Sequence, residues 1–391
     1  NENKEKSKSS DTLKSKDDII QNKDSIPNLD SLKVDETHAE TVNTKEKKVV
    51  QKGKLFTLQN EKMIIDFSTK GGTVAAVRLK EYESYTDFSK NDDKLEPLLL
   101  FGEGDASNGL KFTLNKKAVN TSKEIFKKQN KTKDHIEFVL KHDGGTITYS
   151  YHLKPNAYEL SYDITMKGYD GKVSPQNVML DWNVNYLKSE RLLSEQRRVS
   201  TICYKYDEEG FSYLSEMGDD EEEAEDKIDW IGFKQSYFSS FISNENGFGK
   251  NGSKMIVRSF DEDHKLAESH VKNFSALLNL NLQSTDNASV HLNWFFGPND
   301  YGTLASYDRG YDKVLNYGWG LFRWINLYAV QPLFKALKGS GMGIGIAILI
   351  LTLIIKFALM PVQWKMYTSS AKMRILKPEI DELNKKYPEK D

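Results

Sequence analysis

The segment Tyr158-Glu-Leu-Ser-Tyr-Asp-Ile-Thr-Met-Lys167 alternates apolar and polar side chains at every position. Successive side chains on a strand point to opposite faces. Tyr158, Leu160, Tyr162, Ile164 and Met166 therefore share a buried face, and Glu159, Ser161, Asp163, Thr165 and Lys167 a wet one. The same period continues on both sides. Ile147, Tyr149, Tyr151 and Leu153 alternate with Thr148, Ser150 and His152. Val178, Leu180, Trp182, Val184 and Tyr186 alternate with Met179, Asp181, Asn183 and Asn185, and Val290, Leu292, Trp294 and Phe296 repeat the scheme. Gly144-Gly145, between two such runs, reads as a hairpin turn. From Leu55 to Pro298 the helical period is largely missing. Half-buried strands over that length predict a mainly β fold, a large antiparallel β-sandwich whose core is big enough to fold alone.

Upstream, residues 1–54 are dominated by Lys, Asp, Glu, Ser, Asn and Thr, with no aromatic before Phe56. Apolar residues are too sparse to offset the entropy of ordering the chain, so this block reads as a disordered polar linker. A recognition tail is the alternative. No apolar run follows these charges in the manner of a secretory signal. Over all 391 residues, 55 Lys+Arg face 57 Asp+Glu, a formal net charge of -2. That balance argues against nucleic-acid binding by bulk charge. Hydrophobic residues make up 38%, too few for a polytopic membrane protein over this length but compatible with one span of about 20 residues.

Signatures of catalysis are poor. Cys203 is the single cysteine, which excludes an internal disulfide and a Cys-based zinc cluster. It reads as a small core residue rather than a nucleophile. The seven histidines (38, 135, 142, 152, 264, 270 and 291) lack metal-ligand spacing, and neither a nucleophile elbow nor a phosphate loop is present. No catalytic residue, metal or cofactor is expected. The acidic run Asp219 to Asp226 has no calcium-loop pattern and reads as a solvated loop.

After Pro298 the period changes. Between Gly320 and Lys338 the residues Leu321, Phe322, Trp324, Ile325, Leu327, Tyr328, Val330, Leu333, Phe334 and Leu337 are apolar. At 100° per residue, Arg323, Asn326, Gln331, Lys335 and Lys338 fall within roughly half the circumference. The pattern predicts an amphipathic helix, kinked at Pro332. Its aromatic-rich apolar face suits a membrane interface; the competing reading is a helix that caps the β-domain.

Residues 341–362 are long enough for a transmembrane helix, and Lys356 is their one charge. Gly341, Gly343 and Gly345 match a dinucleotide loop only loosely, without the preceding strand, and suit close helix packing instead. The tail carries Lys365, Lys372, Arg374, Lys377, Lys385, Lys386 and Lys390, which assigns that side to the cytoplasm and the β-domain to the outside, the periplasm of a Gram-negative cell. Met373, Leu376, Ile380, Leu383 and Tyr387 are spaced 3, 4, 3 and 4, a coiled-coil seam, and Pro378 fits the first turn of a new helix. A charge at the helix centre costs about 2.5–3.5 kcal/mol on insertion scales. Lys356 either snorkels to the interface or meets water in a cavity within the bilayer, and Thr352, four residues earlier on the same face, adds a second polar group.

Four stretches carry a resemblance: Asn316-Tyr-Gly-Trp-Gly-Leu-Phe-Arg-Trp, Gln331-Pro-Leu-Phe-Lys, Ile350-Leu-Thr-Leu-Ile-Ile-Lys-Phe-Ala-Leu-Met-Pro-Val, and Ser369-Ser-Ala-Lys-Met-Arg-Ile-Leu-Lys-Pro-Glu-Ile. Together they resemble the YidC/Oxa/Alb family of membrane protein insertases, closely over 310–391. Trp230-Ile-Gly-Phe-Lys-Gln-Ser-Tyr-Phe and Phe296-Gly-Pro resemble motifs of the family's periplasmic domain. The resemblance implies a β-supersandwich at 55–310 in the periplasm and an interfacial helix within 311–340, including Trp319, Phe322, Trp324 and Phe334. It implies a transmembrane helix at 341–362 and, over 363–391, the start of a cytoplasmic helical hairpin with Met373, Leu376, Ile380 and Leu383. Lys356 and Thr352 would line a hydrated substrate groove. Where many members have Arg, this chain has Lys356, which supplies charge without a planar fork.

The family has a transmembrane helix before the linker and further ones after the hairpin, so the resemblance makes this chain a fragment. Implied partners are nascent membrane proteins, the lipid bilayer and the Sec translocase, with the ribosome a further candidate; implied localisation is the bacterial inner membrane. The implied function is non-enzymatic membrane protein insertion. The alternative is a membrane-anchored carbohydrate-binding or carbohydrate-processing β-sandwich, whose aromatic-rich strands carry Asp and Asn on the wet face.

Overall fold

A computed structural model describes residues 53–90, 96–207, 210–318 and 320–387. The linker expected over 1–54 therefore lies outside the described residues except for its last two positions. Four antiparallel strands, β1 (Leu55–Gln59), β2 (Met63–Ser68), β3 (Thr73–Leu79) and β4 (Leu98–Phe101), form a small sheet in that order. Between β3 and β4 sits a short helix, α1 (Tyr85–Ser89), whose N-cap Ser84 accepts from Asp87 N.

The second sheet begins with β5 (Ala106–Leu114), β6 (Lys117–Asn120), β7 (Lys127–Lys131), β8 (His135–His142), β9 (Gly145–Leu153), β10 (Glu159–Lys167) and β11 (Met179–Leu187). Helix α2 (Leu193–Arg198) follows. Then come β12 (Thr201–Tyr206), β13 (Gly210–Tyr213), β14 (Asp220–Glu223), β15 (Ile228–Lys234), β16 (Phe238–Arg258), β17 (His270–Asn279) and β18 (Ala288–Pro298). The main path runs β6-β5-β11-β17-β16-β18-β10-β9-β8-β7.

Strand β16 makes this path into a sandwich. Residues 238–244 pair with β18, while residues 254–258 pair with β17, and the register shifts between them. Extra residues bend a strand and increase its twist. The two halves then meet through aromatic side chains. Trp182 of β11 stacks on Phe233 of β15 with ring centroids 3.8 Å apart, and its edge meets Trp294 of β18 at 5.8 Å. Tyr162 of β10 lies stacked between Tyr151 and Trp294, at 4.6 and 5.2 Å. The small sheet joins the same core through Phe67 against Tyr151 and Phe101 against Tyr186. The large antiparallel β-sandwich expected from the period-two runs is present, and β11 alternates buried and half-buried residues over its full length.

Three details differ from the expectations. The β8–β9 turn is centred on Asp143 and Gly144, both at positive φ, and Gly145 already pairs with His142. A Cβ on Gly145 would strike the Tyr169 ring, so the first glycine serves the turn and the second the packing. The acidic run is not a loop throughout. Asp220–Glu223 forms β14 against β16, and Glu221 pairs with Lys254 at 3.0 Å and also with Arg258. Cross-strand cations let four acidic residues form a strand.

Glu159 is the third difference. Its place in the alternation is the wet face, yet its side chain is only 3% exposed. A second layer covers it: helix α3 (Tyr301–Ala305) and the turn at Tyr311–Val314, with Leu304, Tyr311 and Val314 buried. Arg309 of this layer pairs with Glu159 at 2.7 Å, and Lys154 also pairs with it. Trp230 Nε1 donates to Arg309 O at 2.8 Å, and Tyr158 N donates to Tyr307 Oη at 3.0 Å.

Removing one partner of a buried ion pair typically costs about 3–5 kcal/mol. Arg309→Ala should thus lower β-domain stability by about 3 kcal/mol, the low end, because Lys154 remains. Urea unfolding followed by tryptophan fluorescence measures this. Adding Glu159→Gln should recover part of the loss; no recovery would mean that Arg309 acts by packing alone. Burial also raises the Cys203 thiol to about 12. The native protein should resist maleimide at pH 8 and react in urea, read by mass spectrometry.

Candidate functional site

Residues after the β-domain form two helical units. The first is a near-continuous helix of three parts: α4 (Leu321–Ile325), a π-turn at Asn326–Val330, and α5 (Gln331–Gly339). Proline lacks an N–H and its ring crowds the carbonyl four residues earlier. For Pro332 that carbonyl belongs to Tyr328, inside the wider π-turn, so the irregularity expected at Pro332 is placed one turn upstream.

The orientation of this helix separates the two readings of its amphipathic pattern. Its polar side chains bond back to the β-domain and its extension. Arg323 reaches Asp312 at 3.3 Å, Asn326 Nδ2 donates to Tyr317 O at 2.9 Å, and Gln331 Nε2 donates to Tyr317 Oη at 2.7 Å. Burial raises Tyr317 above the usual tyrosine range, so the hydroxyl stays protonated. Tyr301 meets the Tyr317 ring edge-on at 5.9 Å. Leu321, Phe322, Trp324, Ile325 and Tyr328 are exposed instead, with Phe322 at 61% and Trp324 at 60%. A capping helix would bury its aromatic face against the domain, and this one turns its polar face there. Phe334 is half-buried, and Trp319 lies outside the described residues.

The second unit is α6 (Ile344–Lys386), 43 residues in one helix packed against α5 at its start, where Ala347 is buried. At 1.5 Å per residue it is about 64 Å long, twice the hydrocarbon thickness of a bilayer. Its apolar part meets the length and composition of a membrane span. Pro361 and Pro378 both lie inside it, so no new helix begins at Pro378. Each leaves one carbonyl, of Phe357 and of Arg374, without its helical donor. Met373, Leu376, Ile380 and Leu383 follow one another along α6 and are all exposed.

Lys356 and Thr352 are both exposed on α6, four residues apart and hence on one face. Thr352 Oγ1 donates to Ile348 O at 2.8 Å, which satisfies its proton within the helix and leaves its lone pairs outward. The Tyr317–Gln331 and Arg323–Asp312 contacts escaped the sequence reading. They join residues 11 to 14 apart across an irregular turn, where no period applies.

Two family models match adjoining parts of this chain. A family model described as "YidC periplasmic domain" matches residues 55–336, and one described as "60Kd inner membrane protein" matches 336–391. A relative from Bacteroides fragilis named "Membrane protein insertase YidC" is 33% identical over 375 residues, covering 91% of this chain and 58% of that protein. One of the same name from Parabacteroides distasonis is 32% identical, covering 86% and 53%. The chain thus spans little more than half the length of these relatives. Among solved structures, a galactose mutarotase-like protein from Lactobacillus casei aligns with a TM-score of 0.39 at 10% identity, covering 63% of this chain and 100% of that one. An α-N-acetylgalactosaminidase from Bifidobacterium bifidum aligns with a TM-score of 0.42 at 5% identity, covering 73% and 40%.

Tyr317→Phe should loosen the junction without touching the sandwich. Trypsin should then cut at Lys313 or Arg323 faster, with the thermal unfolding of the β-domain unchanged. Equal cleavage rates would mean that the Gln331 bond does not hold the helix.

Proposed function

The chain belongs to the YidC membrane protein insertase family, and on that premise we propose that it helps to insert and fold integral membrane proteins through a hydrated groove to which α6 contributes Lys356 and Thr352. The family is one of inner-membrane proteins, and this chain combines a periplasmic-type β-domain with a membrane helix. The observation that carries the reading is the charge pattern of α6. Residues 344–362 hold a single charge, Lys356, followed by a basic stretch. Basic residues beyond a span belong to the cytoplasmic side, which leaves the β-domain in the periplasm.

The mechanism follows from solvation. A polar segment of a nascent membrane protein crosses hydrocarbon at high cost. Water held around an ammonium inside the membrane lowers that cost, and burial of the client's apolar surface then drives it into lipid. No bond is made or broken, so the reading is non-enzymatic. The exposed face of Leu321, Phe322, Trp324 and Tyr328 rests at the membrane surface as an interfacial helix, with Phe334 nearer its packed side. Met373, Leu376, Ile380 and Leu383 form the first arm of a cytoplasmic hairpin. Nascent membrane proteins and the bilayer are the primary partners; the Sec translocase and the ribosome fit the same reading.

The carbohydrate alternative drew on aromatic strands. Tyr149, Tyr151, Tyr162 and Trp294 are all buried in the core, so these strands offer sugar no aromatic platform. Replacing Lys356 in the full-length protein separates charge from packing. Lys356→Ala should slow insertion of a dependent client about 10-fold, a loss of about 1.4 kcal/mol, while Lys356→Arg should keep it. Protease protection of the client in inverted vesicles is the readout, and equal insertion by the Ala variant would remove the electrostatic role.

A further inference from the structure

Two open depressions on the β-domain adjoin at Glu190 and Tyr237. The larger, about 560 Å³, is lined by Tyr82, Tyr85, Phe88, Tyr237 and Phe238, with Asp300 on its wall. The other, about 470 Å³, includes Leu192. Phe88 is 68% exposed, Tyr237 63%, Leu192 59% and Tyr85 41%. Single exposed apolar side chains are ordinary, but four on adjoining surfaces form a patch.

The patch is built, not incidental. Its apolar side chains come from three separate segments, 82–88, 189–192 and 237–238, and one buried side chain holds two of them. Gln196 Nε2 donates to Ser189 Oγ and to Gln235 Oε1, both at 3.0 Å, and its Oε1 accepts from Ser189 N at 3.1 Å and Glu190 N at 3.3 Å. Ser189 O in turn accepts from Tyr85 N at 2.8 Å, which brings in the third segment. Tyr237 sits in the β15–β16 turn, where its carbonyl accepts from Asn299 N at 2.7 Å. The exposed rings are therefore held outward by a satisfied network instead of riding on a free loop.

The same patch runs into the membrane-directed segment. Asp300, on its wall, caps α3 by accepting from Thr303 N at 2.8 Å. Tyr301, the next residue, packs on Tyr317, which accepts from Gln331 of the interfacial helix. One peptide bond and two consecutive contacts thus connect the aromatic patch to the helix proposed to lie on the bilayer. Tyrosine rings, apolar with a polar tip, belong at the headgroup level of a membrane, and phenylalanine serves the apolar face of an interfacial element. The Arg191 guanidinium, 5.9 Å from the Tyr85 ring, is exposed and able to meet a phosphate. The walls are short helices and a hairpin turn, not a free strand edge, so an extended peptide finds no ladder to join. Lining acids Glu83, Glu190, Glu195 and Asp300 outnumber the bases Arg191, Arg198 and Lys234 by one, so the patch carries little net charge. A contact of that kind rests on aromatic burial and is weakly salt-dependent.

We propose that this aromatic patch is a second membrane contact, by which the β-domain rests on the periplasmic surface of the bilayer beside the interfacial helix. The proposal depends on the reading of that helix as a membrane-surface element, and its test separates the two. Cys203 is buried, so a cysteine introduced at the surface can be labelled selectively. A fluorophore is placed in turn by Phe88→Cys, Tyr237→Cys, Phe322→Cys and Lys116→Cys in the full chain. Lys116 follows β5, whose Lys111 pairs with Met179 at the opposite end of β11 from Leu187, and so marks the far end of the sheet. Each protein is reconstituted into nanodiscs of phosphatidylcholine, with or without a nitroxide on the lipid headgroup. Positions 88, 237 and 322 should be quenched about twofold or more, and position 116 should not. The quenching at 88 and 237 should persist at high salt. Quenching at 322 without quenching at 88 and 237 overturns the second contact and leaves the interfacial helix in place. Failure at 322 as well overturns the premise with it. A response at position 88 to an added hydrophobic peptide, without lipid quenching, overturns the proposal in favour of a peptide site.

Discussion

A buried carboxylate fixes where the β-domain ends and the membrane-directed segment begins. Glu159 loses its water when residues 301–314 cover the sheet, at an effective cost of several kcal/mol per buried ion. Only opposite charge and hydrogen bonds offset that cost, so the covering layer must bring a cation to this point. Arg309 supplies it, and Trp230 anchors the Arg309 carbonyl from the other side. With its amide turned to donate to Glu159 at 3.1 Å and accept from Arg309 at 3.2 Å, Asn293 completes the ring of partners. Once this layer is seated, Asp312 and Tyr317 stand where Arg323, Asn326 and Gln331 can reach them. The chain from the sheet to α4 and α5 is thus a succession of satisfied polar partners, each placed by the one before.

This order explains how much could be read from the residues alone. The strands were legible because period two reports a property of each residue, the face on which it lies. Every apolar residue singled out on β9, β10, β11 and β18 is buried, and Tyr158 just before β10 with them. Glu159 was misread because its burial depends on Arg309, 150 positions away, and no local pattern carries that distance. The acidic run failed for the same reason, since the cations that permit β14 lie on β16, more than 30 residues on. Pro378 failed differently. A helix tolerates an internal proline when the residues around it keep forming helix, and the loss is about 3 kcal/mol, not a certain break. Of the candidate site, the shared face of Thr352 and Lys356 followed from spacing alone.

Amphipathicity carries a further ambiguity that sequence cannot remove. It gives the width of an apolar stripe but not what the stripe faces. Arg323, Asn326 and Gln331 meet the protein here, and Leu321, Phe322, Trp324 and Tyr328 point away from it. In water that arrangement would leave Leu321, Phe322, Trp324 and Tyr328 exposed at substantial cost, since a fully buried side chain of this size gains about 1.5–3 kcal/mol. The arrangement is economical only if another apolar phase covers them. The exposed apolar face of α6, which follows this unit through Ser340–Gly343, is why a bilayer is the phase proposed to cover them.

The same geometry bears on how Lys356 could be hydrated. Six residues, or about 9 Å of helix, separate it from Val362, where the apolar stretch ends. Side chains on an α-helix lean toward its N-terminus. On α6 that direction is back toward the middle of the bilayer, away from the basic end of the helix. Snorkelling to the cytoplasmic interface would therefore have to run against the tilt of the Cα–Cβ bond over most of that distance. Thr352, one turn toward the N-terminus, lies where the stem naturally points, and its hydroxyl oxygen keeps lone pairs free after bonding Ile348. Water admitted along that face would find an ammonium and a hydroxyl acceptor in succession, which favours a hydrated groove over escape of the charge to the surface.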